Sequence, residues 1–264
     1  MENTSNNIVI TKLNSFKDFI DKFKIEEIES SDFVYRGLKK ETMKLTTTYI
    51  RECLKNDELP GIKALIDNFR NNIPTEKLTT DLSGDIALQA LGQHHGLPTE
   101  LLDWTKSPFV ALFFAFADEK ELGKDFNEDN NRVVYTLNKV AIEKVNKSFC
   151  NSDQNTIQNA ITFIENKLIS FVDYCSKHND RQKAQSGLFT FLSSFYINLE
   201  TCLNDKYKDI SLNKYLIPDK ERNECLIFLN KMNINYKTLF PDLDGAAKHV
   251  LMGTRINGYF KSHI

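Results

Sequence analysis

The sequence predicts an α+β fold, with a small mixed or antiparallel sheet and several packed helices. Short aromatic and β-branched runs are typical of strands, and they occur at 8–13, 33–37 and 132–137. Segments with apolar residues at helical spacing lie between them. The 264 residues contain no internal repeat and no linker rich in proline and serine, so we predict a single domain over residues 1–264.

The composition narrows the class of protein. Hydrophobic residues make up 41% and charged residues 27% of the chain, as in ordinary globular proteins. The formal net charge of −2 gives no global positive field, which argues against a nucleic-acid partner but leaves a local basic patch open. No apolar run reaches the roughly 18 residues of a membrane helix, and the polar first residues do not resemble a signal peptide. We therefore expect a cytoplasmic protein with no membrane partner.

The five cysteines do not suggest a metal site or a disulfide framework. They are scattered and odd in number, whereas either arrangement needs closer or paired spacing. The sequence has no His-x-x-x-His or Cys-x-x-Cys motif, so we predict no metal cofactor.

Helix signals are clearest in the first half of the chain. Ser15 is a typical N-cap, and apolar residues follow it on one helical stripe. Residues 41–70 have a helical pattern that breaks at 59–61. A further predicted helix at 86–92 continues into a Gln-His-His-Gly segment, where Gly96 can end it.

Residues 97–117 predict an extended segment followed by a buried helix. Pro98 disfavours the helical conformation of the residue before it, so 97–105 is extended or turn-like. Ser107, followed by a proline, has the pattern of an N-cap and first helical position. The body of this helix, 109–117, is apolar on nearly every side and must be buried.

The second half of the chain has a less regular pattern. Its predicted elements are a solvated loop at 119–131, helices at 139–147 and 155–175, a strand that begins near Gly187, a helix at 220–230 and a last helix that begins near 239. Residues 196–217 give no clear signal.

Four polar motifs with turn residues have the composition of a functional site. The first is Tyr35-Arg36-Gly37, at the end of a predicted strand. Its guanidinium has a rigid fork of donors suited to a phosphate or carboxylate, and the glycine allows a ligand to approach the backbone. The alternative is a surface arginine beside an ordinary turn.

The second motif, Gln93-His94-His95-Gly96, lies at a helix end. Histidine can act as a general acid or base near neutral pH. Neighbouring histidines point in different directions, so a given ligand would face only one of them. The alternative is a ring that hydrogen-bonds a carbonyl at the helix C-terminus.

The third motif runs from Pro98 to Thr105 and contains the single tryptophan, Trp104, between Asp103 and Thr105. Asp and Thr before a helix can satisfy its free N–H groups, and such an N-terminus also binds anions. An indole can stack on a flat ring. The alternative is a capping carboxylate beside a core tryptophan.

The fourth motif places Arg181, Gln185 and Gly187 before a strand, where the carboxamide could recognise amide or hydroxyl groups. The alternative is a hairpin turn. We predict that the four motifs converge on one cleft. The catalytic candidates are Arg36, His94, Asp103 and Gln185. The candidates for ligand binding are Tyr35, Gly37, Gln93, His95, Thr99, Trp104, Thr105, Ser107, Arg181 and Gly187.

In their order and spacing these motifs resemble the FRG-domain family. The matching residues are Tyr-Arg-Gly at 35–37, Gln-His-His-Gly-Leu-Pro-Thr-x-Leu-Leu-Asp-Trp-Thr-x-Ser-Pro at 93–108, Arg-x-x-x-Gln-x-Gly-x-Phe at 181–189 and Leu-Phe-Pro-Asp-Leu-Asp-Gly at 239–245. The resemblance extends over about residues 33–248. One departure is Glu100, which stands where the family usually has arginine and would reverse the charge at a phosphate site.

The resemblance implies a bacterial or phage-associated toxin or anti-phage defence effector with a nucleotide or NAD pocket. The layout is also similar to that of ADP-ribosyltransferases, which implies an arrangement of that kind with NAD as substrate. Arg36 would then hold the diphosphate, Thr105 or Ser107 would orient the substrate, and Trp104 would stack on nicotinamide. Gln185 stands where such enzymes usually have a glutamate.

Two other functions remain open at this point. One is a non-catalytic recognition or sensor domain, with a small molecule, a protein target or an antitoxin as its partner. The other is a nucleic-acid-processing protein that uses His94 or His95 together with Asp103.

Overall fold

The computed structural model describes residues 7–23, 32–74, 84–118, 126, 130–149, 168–173, 180–192 and 195–260. Its strands are β1 (Ile8–Lys12), β2 (Phe33–Leu38), β3 (Leu101–Thr105), β4 (Asn131–Asn138), β5 (Ser170–Val172), β6 (Gly187–Phe191) and β7 (Leu212–Pro218). They form one sheet in the order β1-β7-β4-β2-β3-β6-β5. The β1–β7 pair is parallel, and the other neighbours are antiparallel. The predicted α+β class with a mixed sheet is confirmed.

Helices pack on both faces of this sheet. In the described ranges they are α1 (Phe16–Asp21), α2 (Thr48–Cys53), α3 (Ile62–Asn72), α4 (Asp85–His94), α5 (Pro108–Phe116), α6 (Lys139–Phe149), α7 (Asp180–Ala184), α8 (Leu199–Lys206), α9 (Arg222–Lys231), α10 (Tyr236–Leu239) and α11 (Leu243–Arg255). A single 3-10 turn, Asp219–Glu221, leads into α9.

Strand alternation divides the core into two layers. Tyr35 of β2 and Val134 of β4 belong to a cluster with apolar residues of α1, α5, α9, α10 and α11. Their neighbours Val34 and Tyr135 point to the opposite face, where they pack with Trp104 of β3 and residues of α6 and α8. Successive side chains of a strand alternate between faces, so the sheet contributes to both layers.

The buried helix α5 follows its local sequence closely. The Ser107 hydroxyl accepts a hydrogen bond from the Val110 N–H at 3.3 Å, and Pro108 occupies the first turn. Phe113 is fully buried, as the apolar pattern predicts, whereas Phe114 is half-buried. The predicted N-cap at Ser15 is also confirmed, because its hydroxyl accepts from the Asp18 N–H in a reciprocal capping box.

Two predicted elements differ from the structure. The helical pattern at 41–70 forms two helices, α2 and α3, on either side of the predicted break at 59–61, but residues 41–47 are not helical. The predicted helix at 155–175 lies largely outside the described residues, and its last part contains the strand β5 instead. Strand β7 and helix α8 fall within 196–217, where the sequence gives no clear signal.

The sheet divides between β2 and β3. Among the described residues these two strands pair only at Tyr35 and Thr105, although β2 continues to Leu38 and β3 begins at Leu101. By contrast, β2 pairs with β4 along six positions. The strands therefore separate on one side of the Tyr35–Thr105 junction, and the resulting gap provides the floor of a cleft.

Candidate functional site

A cleft of about 480 Å³ lies at the division between β2 and β3. It brings together residues from all four polar motifs of the sequence, which are far apart along the chain. The predicted site residues that line it are Tyr35, Arg36, Gly37, Gln93, His94, Asp103, Trp104, Thr105, Arg181, Gln185 and Gly187. The expected convergence on one cleft is thus observed, while the catalytic and binding roles of these residues stay predictions.

Arg36 crosses the gap between the two strands. One of its terminal nitrogens, Nη1, donates to the backbone carbonyl of Asp103 and lies 3.4 Å from the Asp103 carboxylate. The guanidinium therefore connects β2 to β3 beyond the point at which their backbones separate. Its Nε is buried and has no hydrogen-bond partner among the described residues.

Asp103 is the centre of a short polar chain. The Gln93 amide donates to Asp103 Oδ1 at 2.6 Å, and the Thr99 hydroxyl donates to the Gln93 carbonyl oxygen. Thr99 is fully buried, so it holds the Gln93 amide from behind. The Asp103 side chain nevertheless stays 61% exposed, so a ligand can reach its carboxylate.

The far side of the cleft is formed by Arg181 and Phe240. The Arg181 guanidinium lies 4.7 Å from the Phe240 ring centroid, and its Nη2 donates to Asp242 Oδ2 at 2.9 Å. The Nε of Arg181 is buried without a hydrogen-bond partner in the described part of the chain. This second guanidinium is therefore held in a fixed orientation by a ring and a carboxylate, like an anion-binding group.

His94 lies between these two sides and is neutral near pH 7. Partial burial and the neighbouring Arg181 cation lower its pKa below the ordinary histidine value of 6.5. On the other side, burial first and the Arg36 charge second lower the pKa of Arg51. Three cationic side chains, of Arg36, Lys39 and Arg181, thus line the cleft together with the carboxylates of Asp103 and Asp118.

Several cleft residues were not selected from the sequence. Lys39 Nζ donates to Asp118 Oδ2 at 2.8 Å at the edge of the cleft. Phe114 and Phe240 line the cleft as half-buried rings whose centroids are 6.1 Å apart in an edge-to-face arrangement. The segment 239–245, the last of those that resemble the FRG-domain family, contains Phe240 and could have identified that residue. Nothing in the sequence singles out Lys39 or Asp118.

Three predicted ligand-binding residues do not line the cleft. His95 caps the C-terminus of α4 and is exposed. Thr99 acts through Gln93, and Ser107 caps α5 while its backbone N–H donates to the Thr105 hydroxyl at 3.0 Å. The contact of His95 to the helix end is made by its backbone N–H, which donates to the Gly92 carbonyl, and not by its ring.

Other predicted residues line the cleft but have structural contacts. Trp104 is 3% exposed, and its indole N–H donates to Thr190 at 3.0 Å, so it offers almost no face for stacking. A Cβ on Gly37 would lie 1.9 Å from the Ala111 carbonyl oxygen of α5, so helix packing requires this glycine. The Gln185 amide donates to the Leu239 carbonyl at 3.0 Å.

Glu100 does not lie where the family comparison suggested. Its side chain is 6% exposed and is not part of the cleft lining. Burial raises the pKa of Tyr49, and the Glu100 carboxylate adds a smaller effect in the same direction, which places its charge toward α2. The expectation that Glu100 repels an anion in the cleft is therefore wrong, because β3 starts at the next residue and directs Asp103 to the cleft instead.

Within the described ranges, no group of three His, Cys, Asp or Glu side chains could hold a metal ion. None of the helices in that part of the chain is long and apolar enough to cross a membrane.

A family model described as the FRG domain matches residues 31–124. This match contains Arg36, Gln93 and Asp103, whereas Arg181 and Phe240 lie beyond it. No curated protein and no solved structure matches the chain. The likeness to ADP-ribosyltransferases therefore stays a hypothesis.

Proposed function

We propose that this chain, which contains an FRG domain, binds an anionic nucleotide-class molecule in the cleft. The observation that carries this proposal is the pair of guanidinium groups, Arg36 and Arg181, that line one cleft. The planar fork of arginine donors suits the oxygens of a phosphate, and such charge-assisted hydrogen bonds are among the stronger ones in proteins.

Aromatic rings support a ligand with a flat ring as well as phosphates. Phe114 and Phe240 are only partly covered by protein, and both face the cleft. Arg181 already packs against Phe240. A nucleobase or nicotinamide could contact these rings while its phosphates reach the guanidinium groups. These two phenylalanines take the stacking role that the sequence suggested for Trp104.

A second candidate function, cleavage of NAD, is favoured by the exposed Asp103 carboxylate. Transfer or hydrolysis of ADP-ribose develops positive charge on the ribose, which a nearby carboxylate stabilises and a neutral amide such as Gln185 does not. Asp103 would supply that charge from the third motif. An NAD-consuming activity would suit a bacterial toxin or an anti-phage defence effector in the cytoplasm, the role implied by the family resemblance.

Calorimetric titration with NAD, ADP-ribose and ATP tests ligand binding. We expect Arg36→Ala and Arg181→Ala each to weaken binding about 10- to 100-fold, which corresponds to a charge-assisted hydrogen bond of about 1.5–3 kcal/mol. Arg36→Lys should restore little, because lysine lacks the planar fork. Arg70→Ala is the matched control, since Arg70 forms ion pairs outside the cleft.

Two results would contradict ligand binding: no detectable heat with any of the three nucleotides, or affinities that neither cleft substitution changes.

For the second candidate, chromatography of NAD and its products should show turnover that Asp103→Asn abolishes while binding persists. Binding without turnover in the wild type would leave a sensor domain as the function.

A further inference from the structure

A second surface, separate from the cleft, lies on α11. One side of this helix packs into the core through Gly245, Met252 and the following Ile256. The outward positions recur at helical spacing and are apolar apart from one threonine. We define them as the α11 stripe: Leu243, Ala246, Ala247, Val250, Leu251 and Thr254. All six are exposed, with Leu243 at 88% and Val250 at 57%.

Such a stripe is unusual on the surface of a soluble protein. An amphipathic helix normally directs its apolar residues to the core and its charged residues outward. Here both sides are apolar, and the exposed ring of Phe260 widens the patch because it packs over Gly253 and lies 5.4 Å from His249. Contiguous exposed apolar patches often mark interaction sites.

The charges beside the α11 stripe are arranged for a particular partner. Asp244 is in the first turn of α11, and Arg255 is in the last. Residues eleven positions apart lie only about 20° apart around an α-helix. Both charges therefore lie along the same edge of the stripe, one at each end. A second α11 in antiparallel orientation would present the opposite charge at each end of this edge.

We propose that the α11 stripe is the contact between two copies of this chain, packed antiparallel about a two-fold axis. Each Asp244 then faces Arg255 of the partner subunit, and the helix dipoles oppose each other. A small residue meets a large one near the axis, since Ala247 lies opposite Val250 of the partner subunit. A parallel arrangement would instead place like charges together.

The size of the surface indicates a reversible dimer. A helix of 13 residues, the length of α11, is about 20 Å long. Stable interfaces bury at least about 1,200 Å² in total, and a strip about 20 Å long and about 10 Å wide on each helix falls short of that. We therefore expect monomers at low protein concentration and dimers at high concentration.

Sedimentation velocity across a concentration series tests the surface. The wild type should shift from monomer to dimer, and Val250→Asp should stay monomeric because it places a carboxylate in the centre of the stripe. Leu54→Glu is the matched control. Leu54 is the C-cap residue of α2, lies outside the stripe and is 69% exposed. A wild type that is monomeric at every concentration, or a dimer that survives Val250→Asp, overturns the proposal.

Charge reversal tests the orientation. Asp244→Arg and Arg255→Asp should each weaken the dimer about tenfold, because each places two like-charged pairs across the axis. The double variant should recover most of the wild-type affinity, since it exchanges the two charges. Equal melting temperatures would show that the variants are folded. A double variant that remains as weak as the single variants excludes the antiparallel pairing.

Discussion

At the scale of single residues, Gly37 shows that a glycine in a functional motif can be required by packing. We predict that Gly37→Ala lowers the free energy of unfolding by about 3 kcal/mol or prevents folding, because the added Cβ would overlap the α5 backbone. Gly61→Ala is the control, since its Cβ would meet nothing within 4 Å, and it should change stability by less than about 1 kcal/mol. Urea denaturation measures both, and equal stabilities would contradict the packing argument.

A second prediction for a single residue concerns pH and His94. Its folded pKa lies below the value of about 6.5 in the unfolded chain, so this group lowers stability as pH falls through that window. A bound anion favours the protonated ring, and nucleotide affinity should therefore rise as pH falls below 6.5. Calorimetry between neutral and mildly acidic pH should show this rise in the wild type but not in His94→Gln. A parallel rise in both proteins would contradict it.

Residue types and their order allowed most of the cleft to be predicted. Gln93 lies in the last turn of α4 and Arg181 in the first turn of α7, whereas Arg36 and Asp103 lie within β2 and β3, beside the gap between these strands. The role of Trp104 could not be predicted in this way, because a tryptophan in the core and a tryptophan that stacks on a ligand look the same in a sequence. Only the register of β3 decides that its ring points away from Asp103.

At the scale of secondary-structure elements, α5 packs into the core on one side and lines the cleft on another. Phe113 is fully buried against Tyr236, with ring centroids 5.1 Å apart, whereas Phe114 faces the cleft. Phe113→Ala should lower the free energy of unfolding by about 3–5 kcal/mol. Phe114→Ala should cost clearly less but weaken nucleotide binding. Denaturation and calorimetry separate the two effects, and equal losses of stability would contradict this division.

Elements with a strong local signal were predicted well, and those that depend on distant partners were not. The caps of α1 and α5 lie within a few residues of the helices that they start. Strand β7 has no such signal, since it is defined by pairing with β1 and β4, which lie far away in the sequence. The division between β2 and β3 is equally non-local, so the sequence predicts which residues converge on a cleft but not that this gap forms its floor.

At the scale of the whole molecule, the charge of −2 conceals a concentrated cluster of buried charge. Arg132 Nη2 lies 2.6 Å from Asp219 Oδ1, and Arg222 Nη2 lies 2.5 Å from Asp219 Oδ2. All three side chains are buried. Arg132 also donates to the Lys39 carbonyl at 3.1 Å, so the cluster joins β4 and the start of α9 to the edge of the cleft.

We predict that Asp219→Asn is among the most destabilising single changes in the described part of the chain. An amide is nearly isosteric with the carboxylate but leaves two buried guanidinium groups without its charge, and breaking a buried pair costs about 3–5 kcal/mol. Asp173→Asn is the control, because Asp173 pairs with Lys106 at the surface and should contribute less than about 1 kcal/mol. Urea denaturation of both variants measures the difference. A loss in free energy of unfolding below about 1 kcal/mol for Asp219→Asn would show that other contacts stabilise the two arginines. In that case the Asp219 carboxylate would not be the group that joins the cleft edge to the core.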